Sequence, residues 1–273
     1  MNPQNNHSAL PLRHIALLLR YDGTAYHGWQ RQKGQTSVCQ TVQDAIAKTV
    51  GHPVTLHGCG RTDAGVHALH YVAGFSAHTR IPAERLPYAM EIHLPGDITV
   101  LQAADVPESF SAIGSCVRKE YTYRLYTGDR PDPFLRQTAL FFPQELDLEL
   151  MRKCAGTYVG THDFAALRSL GSTPVKSTVR TVYESKLTVR GRHVFFTVSA
   201  NGFLYNMVRT MTGTLLYIGL QKLSPDALPE LLSGAGSRAE AGPTAPPHGL
   251  YMTGVWYGGL LPWESCSDFQ IDN

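Results

Sequence analysis

The spacing of apolar positions in the first hundred residues predicts a small unit of strands and helices. An apolar run over residues 15–19 predicts a strand, and apolar residues three and four apart after Thr41 predict a helix that this threonine caps and that ends at Val50. Further elements are predicted at residues 54–56, 70–77 and 98–106, all strands, and in a second helix from Pro82 through Leu86 and Met90. This order, β-α-β-β-α-β, is that of a ferredoxin-like split βαβ unit.

The second half of the chain has the pattern of a looser copy with insertions. Alternating Tyr121, Tyr123 and Leu125 predict a strand over residues 118–126, and Arg190-Gly191-Arg192 predicts a hairpin between two further strands. The other predicted elements are strands at 179–189, 193–200 and 250–257, helices at 148–158 and 202–219, a short helix from Ser224 through Leu232, and a Gly-, Ala- and Pro-rich connector at 233–248.

We therefore expect an α+β fold in which two ferredoxin-like (split βαβ) halves share one extended mixed or antiparallel sheet flanked by helices. The chain of 273 residues is long enough to bury two cores. The expected divisions are a flexible tail at residues 1–12, an N-terminal half at 13–110, a C-terminal half at 111–258 and a tail at 259–273.

Composition favours a globular protein of the cytoplasm. Charged residues make up 17% and hydrophobic residues 43%, and no apolar run is long enough to predict a membrane span. The polar N-terminus lacks the apolar segment of a signal peptide. The five cysteines are odd in number and widely spaced, which predicts reduced thiols rather than disulfides or a zinc site; they are Cys39, Cys59, Cys116, Cys154 and Cys266.

The net charge of +2 is unevenly distributed along the chain. Residues 110–210 hold 14 basic and 8 acidic side chains, whereas residues 1–109 are balanced and residues 211–273 hold 2 basic and 6 acidic ones. An arginine-rich segment interleaved with tyrosine and phenylalanine is typical of a surface that binds nucleic acid. A solvated charged face would have the same composition.

The strongest catalytic candidate is the loop at residues 58–67, with the sequence GCGRTDAGVH. Its small residues allow close backbone approach around Arg61 and Asp63, which point to the same side of an extended segment because they are two apart. The arginine favours the ionised aspartate, and a carboxylate on a loop after a strand is a common catalytic arrangement. An ion pair that ties down a turn is the structural alternative.

Two other stretches carry candidate functional residues. Aromatic and polar residues alternate at residues 26–32, which predicts either a stacking surface or a rim over the core. Arg209 stands among apolar positions of a predicted helix, where a guanidinium needs an acceptor or must extend to solvent. Asp63 is the acceptor we expect, with Tyr121 as a further neighbour.

Other catalytic chemistries have less support. His67 and His70 have a spacing that suits a metal-dependent hydrolase, but no further ligand cluster accompanies them. No serine stands in a nucleophile-elbow context, and no Walker or Rossmann glycine pattern is present. The residues alone leave two hypotheses open, an enzyme that acts on RNA and a non-catalytic RNA-binding module.

Several motifs stand in order across residues 14–257. They are YDG at 21–23, GWQRQ at 28–32, GRTDAGVHA at 60–68, LPGDI at 94–98, YTYR at 121–124, NGFLYNMVR at 201–209 and TAPPHGLY at 244–251. Together they resemble the tRNA pseudouridine synthase A family. GRTDAGVHA is the most specific of these motifs, followed by FLYNMVR.

The resemblance implies an isomerase that converts uridine to pseudouridine at positions 38, 39 and 40 of the tRNA anticodon stem-loop. It also implies a homodimer without a metal or an organic cofactor. By this resemblance Asp63 is the nucleophile, Tyr121 stacks on the target base, Arg61 enters the RNA, Arg209 holds the aspartate and Leu250 lines the pocket. A tRNA-binding chaperone without catalysis is the alternative.

Overall fold

A computed structural model of the chain describes residues 10–169 and 175–265. Most of the predicted terminal tails, at residues 1–9 and 266–273, and Cys266 lie outside the described residues. Contacts divide the chain into two compact units, one of residues 1–117 with 254–273 and the other of residues 118–253. In the C-terminal part of the first unit, Leu261 and Trp263 are buried.

The first unit has the predicted order of strands and helices. Its elements are β1 (Leu12–Tyr21), α1 (Val38–Val50), β2 (Leu56–Gly58), β3 (His67–His78), α2 (Leu86–Glu91) and β4 (Ile98–Asp105). β1 lies between β3 and β4 and is antiparallel to both, and β2 pairs with the other edge of β3. Residues 15–19 of β1 are all buried, so both faces of this inner strand are covered.

The cap of the first helix differs from the prediction. Helix α1 begins at Val38, and the Ser37 side chain accepts the Gln40 N–H, so Ser37 rather than Thr41 is the N-cap. The Thr41 hydroxyl instead donates to the Ser37 carbonyl oxygen at 3.1 Å. A threonine within the first turn can form this bond without ending the helix.

The second unit contains an antiparallel sheet in the order β5-β9-β8-β7, with β6 parallel to β5. Its elements are β5 (Arg118–Tyr126), β6 (Leu140–Phe141), α3 (Leu148–Gly156), β7 (Gly160–Asp163), β8 (Val179–Arg190), β9 (His193–Ala200), α4 (Met207–Gly219), α5 (Leu228–Leu231) and β10 (Leu250–Trp256), whose last three residues belong to the first unit. The expected α+β class is confirmed, whereas the short strands β6 and β7 were not predicted.

Helix α4 is five residues shorter at its start than predicted. Residues 202–206 are not helical, because Asn206 has φ of 59° and ψ of 6°, a left-handed conformation that does not continue into a right-handed helix. From Met207 onward α4 is buried on nearly all sides. A Cβ at Gly213 would lie 1.7 Å from the Pro243 carbonyl oxygen, so the predicted connector passes directly against this helix.

Among residues 10–169 and 175–265, the structure contains no helix with both the length and the apolar character needed to cross a bilayer.

Candidate active site

The loop that carries the predicted carboxylate joins β2 to β3 in the first unit. Within it, the Val66 N–H donates to the Asp63 carbonyl oxygen at 3.1 Å and closes a tight turn. Gly65 is the third residue of that turn and has φ of +76°, which glycine adopts without steric cost. Asp63 is therefore the first residue of a turn whose backbone conformation depends on its glycine.

A second segment of the same unit supports this loop through the backbone. The Trp29 N–H donates to the Thr62 carbonyl oxygen at 3.1 Å, and the Gly65 N–H donates to the Tyr26 carbonyl oxygen at 3.2 Å. Gly28 has φ of +83°, and a Cβ there would lie 2.3 Å from the Thr62 oxygen. The two segments approach this closely only because Gly28 has no side chain.

The side chains of the loop alternate between the core and the surface. Thr62 is buried, and its hydroxyl lies 2.9 Å from the Tyr21 phenol oxygen. Its neighbours are more accessible, since Arg61 is exposed and Asp63 is half-buried. This alternation agrees with the prediction that Arg61 and Asp63 point to the same side of the segment.

Three buried aromatic rings lie beneath the loop. Trp29 stacks on Tyr71 with ring centroids 4.1 Å apart, and Tyr21 packs against both rings at an angle. The Tyr71 hydroxyl donates to the Gly60 carbonyl oxygen. A Cβ at Gly58 would lie 2.1 Å from the Tyr71 oxygen, so glycine is required there too. Of the two interpretations of residues 26–32, the burial of Trp29 favours a role in the core over an exposed stacking surface.

His67 contacts the turn that follows β1 and is 2% exposed. Its Nδ1 accepts the Gly23 N–H at 3.1 Å and lies 3.0 Å from the Asp22 carboxylate, to which a protonated imidazole would donate. The structure thus gives His67 a role in packing. Within the described ranges, no three His, Cys, Asp or Glu side chains are grouped in a way that could hold a metal ion.

Asp22 is the acid of this turn. Partial desolvation works toward a higher pKa, but hydrogen bonds from the Thr24 hydroxyl and N–H, with a smaller contribution from the neighbouring His67, outweigh it, so the pKa of Asp22 is lowered. The hydroxyl bond measures 2.6 Å and the N–H bond 2.9 Å. The ionised carboxylate therefore stabilises the turn that carries Gly23.

Tyr121 lies on β5 in the second unit, where it pairs with Val198 of β9. Its side chain is 8% exposed, and the Phe203 ring meets it edge-on with centroids 5.1 Å apart and planes at 90°. Such an edge-to-face pair fixes the ring orientation of Tyr121. Phe203 was not among the predicted site residues, although it belongs to the FLYNMVR motif.

Arg209 lies in the first turn of α4 and is half-buried. Its Nε donates to the Ala245 carbonyl oxygen at 2.7 Å, and its guanidinium donates to the Asn206 side-chain oxygen at 2.8 Å. The Asn206 amide in turn donates to the Ser169 hydroxyl at 3.0 Å. Arg209 thus joins the start of α4 to the segment before β10, a role that its position in the sequence did not reveal.

Leu250 begins β10 and is buried. The segment before it is held against β5, because the Tyr123 hydroxyl donates to the Pro246 carbonyl oxygen at 2.8 Å. A Cβ at Gly249 would lie 2.7 Å from the Arg124 carbonyl oxygen, so the chain touches the strand at this glycine. The Ala245 contact with Arg209 and the Pro246 contact with Tyr123 together fix the backbone that leads to Leu250.

Some arginines of the basic segment are engaged within the second unit. The Arg124 guanidinium lies 4.3 Å above the Tyr251 ring, and Arg192 pairs with Asp132 at 2.9 Å. Arg180 donates to two backbone carbonyl oxygens. Part of the positive charge therefore supports the fold, and the exposed part includes Arg130 and Arg136.

The structure brings Arg61 and Asp63 together on one loop of the first unit, and it links Arg209 to the segment before Leu250 in the second. The expected pairing of Asp63 with Arg209 or Tyr121 stays a prediction. Four side chains that support these residues were not predicted as part of the site, namely Tyr21, Tyr71, Phe203 and Asn206.

Comparison with known proteins relates both units to one enzyme family. A family model described as tRNA pseudouridine synthase matches residues 18–113 and 154–258, which include Asp63 and Arg209 but not Tyr121. Proteins named tRNA pseudouridine synthase A are similar over most of the chain. The one from Thermoanaerobacter sp. (strain X514) is 44% identical over 246 residues, 90% of this chain and 100% of that protein.

Two further relatives of the same name extend this similarity. The protein from Ruminiclostridium cellulolyticum is 40% identical over 247 residues, 90% of this chain and 100% of its own length. The protein from Methylacidiphilum infernorum (isolate V4) is 42% identical over 241 residues, 88% of this chain and 94% of its own length. The solved archaeal box H/ACA sRNP Nop10–Cbf5 complex is 14% identical with a TM-score of 0.35, covering 80% of this chain and 50% of that one, a likeness too low to carry an argument.

Proposed function

Because this chain belongs to the tRNA pseudouridine synthase family and is therefore an isomerase, we propose that it modifies uridines at positions 38, 39 and 40 of the tRNA anticodon stem-loop, with Asp63 as the nucleophile. The observation that carries the proposal is the rigid loop around this carboxylate. Its backbone is hydrogen-bonded to the Tyr26–Trp29 segment, and its buried neighbour Thr62 lies against Tyr21. A reacting group carried on a backbone held in this way needs little backbone reorganisation when substrate binds.

The chemistry suits a single carboxylate. Uridine and pseudouridine are isomers, so the bond from the ribose C1′ to the base N1 breaks, the base turns and a bond from C1′ to C5 forms. The proton on C5 is lost and one is gained at N1, so no oxidant, reductant or phosphate donor is consumed. Asp63 can act by covalent addition to the sugar or base, or by moving a ribose proton, and either route divides a difficult step into easier ones.

The remaining roles are those that the family resemblance implies, and they suit a reaction in which the target base must be exposed. Taking a base out of its stack costs a few kcal/mol, and stacking on Tyr121 returns ~1–3 kcal/mol of this cost. The edge-on contact with Phe203 supports that role because it holds the Tyr121 ring in one orientation. Arg61 is exposed and enters the RNA as the base leaves, Arg209 holds the Asp63 carboxylate, and Leu250 forms an apolar wall of the pocket.

We further propose that the protein is a cytoplasmic homodimer that needs no metal or organic cofactor. The free cysteines Cys39 and Cys154 suit a reducing compartment. Light scattering of the purified protein tests the dimer, and activity after treatment with a chelator tests the independence from metal.

The central test replaces the carboxylate without changing its size. We expect Asp63→Asn to lower pseudouridine formation by at least about 10³-fold, the order of loss when a group acting on the reacting atoms is removed, while tRNA binding persists. The matched control is Asp44→Asn, since Asp44 is an exposed acid on α1 of the same unit. Pseudouridine is mapped in tRNA after incubation with each protein, and binding is measured separately.

Normal turnover by Asp63→Asn and Asp63→Ala would exclude the nucleophile role. A wild-type protein that binds tRNA but leaves every uridine unchanged would instead support the chaperone alternative. Pseudouridine found only outside the anticodon arm would support the proposed reaction but overturn the proposed substrate positions.

A further inference from the structure

The second unit presents an exposed aromatic ring on the loop between β5 and β6. Phe134 is 89% exposed, more than any other large hydrophobic side chain among the described residues. Two prolines, Pro131 and Pro133, precede it, and the exposed Arg130 and Arg136 flank it. A phenylalanine exposed to this extent adds nothing to core packing, and covering its ring with a ligand would remove apolar area from water.

The loop holds this ring in a defined position. The Asp132 N–H donates to the Tyr126 phenol oxygen at 2.9 Å, and the Asp132 carboxylate accepts the Phe134 N–H at 3.0 Å and pairs with Arg192 at 2.9 Å. Arg136 donates to the Pro133 carbonyl oxygen at 2.7 Å. Phe134 is therefore presented by a preorganised turn, which lowers the entropic cost of binding through its ring.

A cleft of about 390 Å³ lies within the same unit and is lined by Pro133 and Arg136 of the same loop. Its walls include Pro131, Pro133 and Phe141, and its polar side chains include Arg136 and His248. This volume lies in the range of sites for small organic groups. Apolar walls with a guanidinium suit a planar, uncharged ring that carries a phosphate.

The charges favour RNA over a protein as the partner. Asp132 is already neutralised by Arg192, which leaves Arg130 and Arg136 against one other acid, Asp129. The surrounding residues 110–210 carry a net +6. Aromatic rings beside arginines bind unpaired nucleotides, because every base has a face to stack on and every nucleotide carries a phosphate.

Resting on the function proposed above, we propose that Phe134 stacks on an unpaired base of the tRNA other than the target uridine, and that Arg136 contacts a phosphate beside it. This loop would be a second RNA contact, in addition to the Asp63 loop. It would raise affinity for tRNA without taking part in the reaction.

The test compares three substitutions of the exposed ring. We expect Phe134→Ala to weaken tRNA binding by about 5- to 100-fold, the range for removing one aromatic stacking partner, and Phe134→Leu to weaken it nearly as much. Phe134→Tyr should bind within about twofold of wild type because it keeps the π-face. In turnover the loss should appear in KM rather than in kcat, since the contact is equal in ground and transition states.

The matched control is Tyr88→Ala in the first unit. Tyr88 is 70% exposed and lines a cleft with Glu84 and Glu91, so it is an exposed aromatic residue in acidic surroundings that disfavour RNA. Its replacement should leave tRNA affinity unchanged. Thermal unfolding of every variant identifies any loss of folded protein.

Salt titration distinguishes the contribution of the Phe134 ring to tRNA affinity from that of Arg136. Arg136→Gln should reduce the slope of log affinity against log salt by about one, since one phosphate contact is lost. Phe134→Ala should shift the line without changing its slope.

Wild-type affinity in Phe134→Ala, or full affinity in Phe134→Leu, would overturn the inference. A fall in oligomer mass with unchanged tRNA binding would overturn it as well and would assign the loop to a protein contact. If wild type forms no pseudouridine but Phe134→Ala still loses tRNA affinity, the RNA contact stands and the proposed function fails.

Discussion

The phenol oxygen of Tyr21 lies 2.9 Å from the hydroxyl oxygen of Thr62, inside the core of the first unit. Thr62 stands between Arg61 and Asp63, so this bond fixes the backbone from which both charged side chains extend. Burial raises the pKa of Tyr21, and the phenol therefore remains a neutral hydroxyl at physiological pH. A single buried hydrogen bond thus connects the end of β1 to the candidate catalytic loop.

Tyr21→Phe should lower kcat by more than the loss of folded protein explains. Removal of the phenol oxygen leaves the buried Thr62 hydroxyl without this bond, which should cost about 1–2 kcal/mol of unfolding free energy. Since the loop then has greater freedom, kcat should fall while KM for tRNA changes little. Denaturant unfolding and steady-state pseudouridine formation measure the two effects.

The matched control is Tyr158→Phe in the second unit. The Tyr158 hydroxyl is buried and donates to the Met211 carbonyl oxygen at 3.3 Å. Its removal should cost similar stability and leave kcat per folded molecule unchanged. Equal kcat losses in the two variants would show that the bond to Thr62 has no positioning role.

Gly28→Ala should damage the site more than Gly34→Ala. Both glycines have positive φ, +83° and +75°, so both replacements incur a backbone cost of roughly 1–2 kcal/mol. Only at Gly28 would the new Cβ meet backbone, 2.3 Å from the Thr62 carbonyl oxygen, whereas nothing lies within 4 Å at Gly34. Activity and unfolding free energy should both fall further in Gly28→Ala, and similar values for the pair would contradict the close approach.

Arg209→Lys and Arg209→Gln separate the charge of this side chain from its anchoring bonds. Neither replacement reproduces the two separate donations to Ala245 and Asn206, so both should lose activity. If the positive charge also holds the Asp63 carboxylate in place, Arg209→Lys should retain at least about tenfold more kcat than Arg209→Gln. Equal kcat values would assign Arg209 to anchoring alone.

Stability at low pH should depend on Asp22. Its pKa is lower in the folded protein than in the unfolded chain, so the stabilisation is fully present above the ordinary aspartate value of about 3.9 and is lost as pH falls through the folded pKa. The difference in unfolding free energy between wild type and Asp22→Asn should therefore narrow as pH falls from 7 toward about 3. Urea unfolding across this pH range measures that difference. A difference that does not vary with pH would contradict a contribution of the ionised Asp22 carboxylate to stability.

Local sequence patterns predicted the helices and strands well where the spacing of apolar residues is regular. Strands β5 and β9 have the predicted bounds because their alternation is sustained and a hairpin turn joins β8 to β9. The start of α4 was wrong because the apolar spacing continues through residues 202–206, and Asn206 leaves helical geometry there. Apolar spacing carries no information about that backbone conformation.

In the candidate site, too, local sequence patterns predicted some features and missed others. Arg61 and Asp63 were identified from the residue types and spacing of one short loop. Trp29 is an aromatic residue among polar neighbours, a local context that is equally typical of the surface. Its burial depends on Tyr71, which is distant in sequence and stacks on it across the first unit.

The amino-acid order alone determined the α+β class, the first β-α-β-β-α-β unit and the loop that carries Asp63, because each depends on residues close together in the chain. Folding in three dimensions decided which side chains support that loop: Tyr21 for Thr62, Tyr71 for Gly60 and two glycines at the close approaches. The reason is physical, since hydrogen bonds, ring stacking and steric exclusion depend on distances in space.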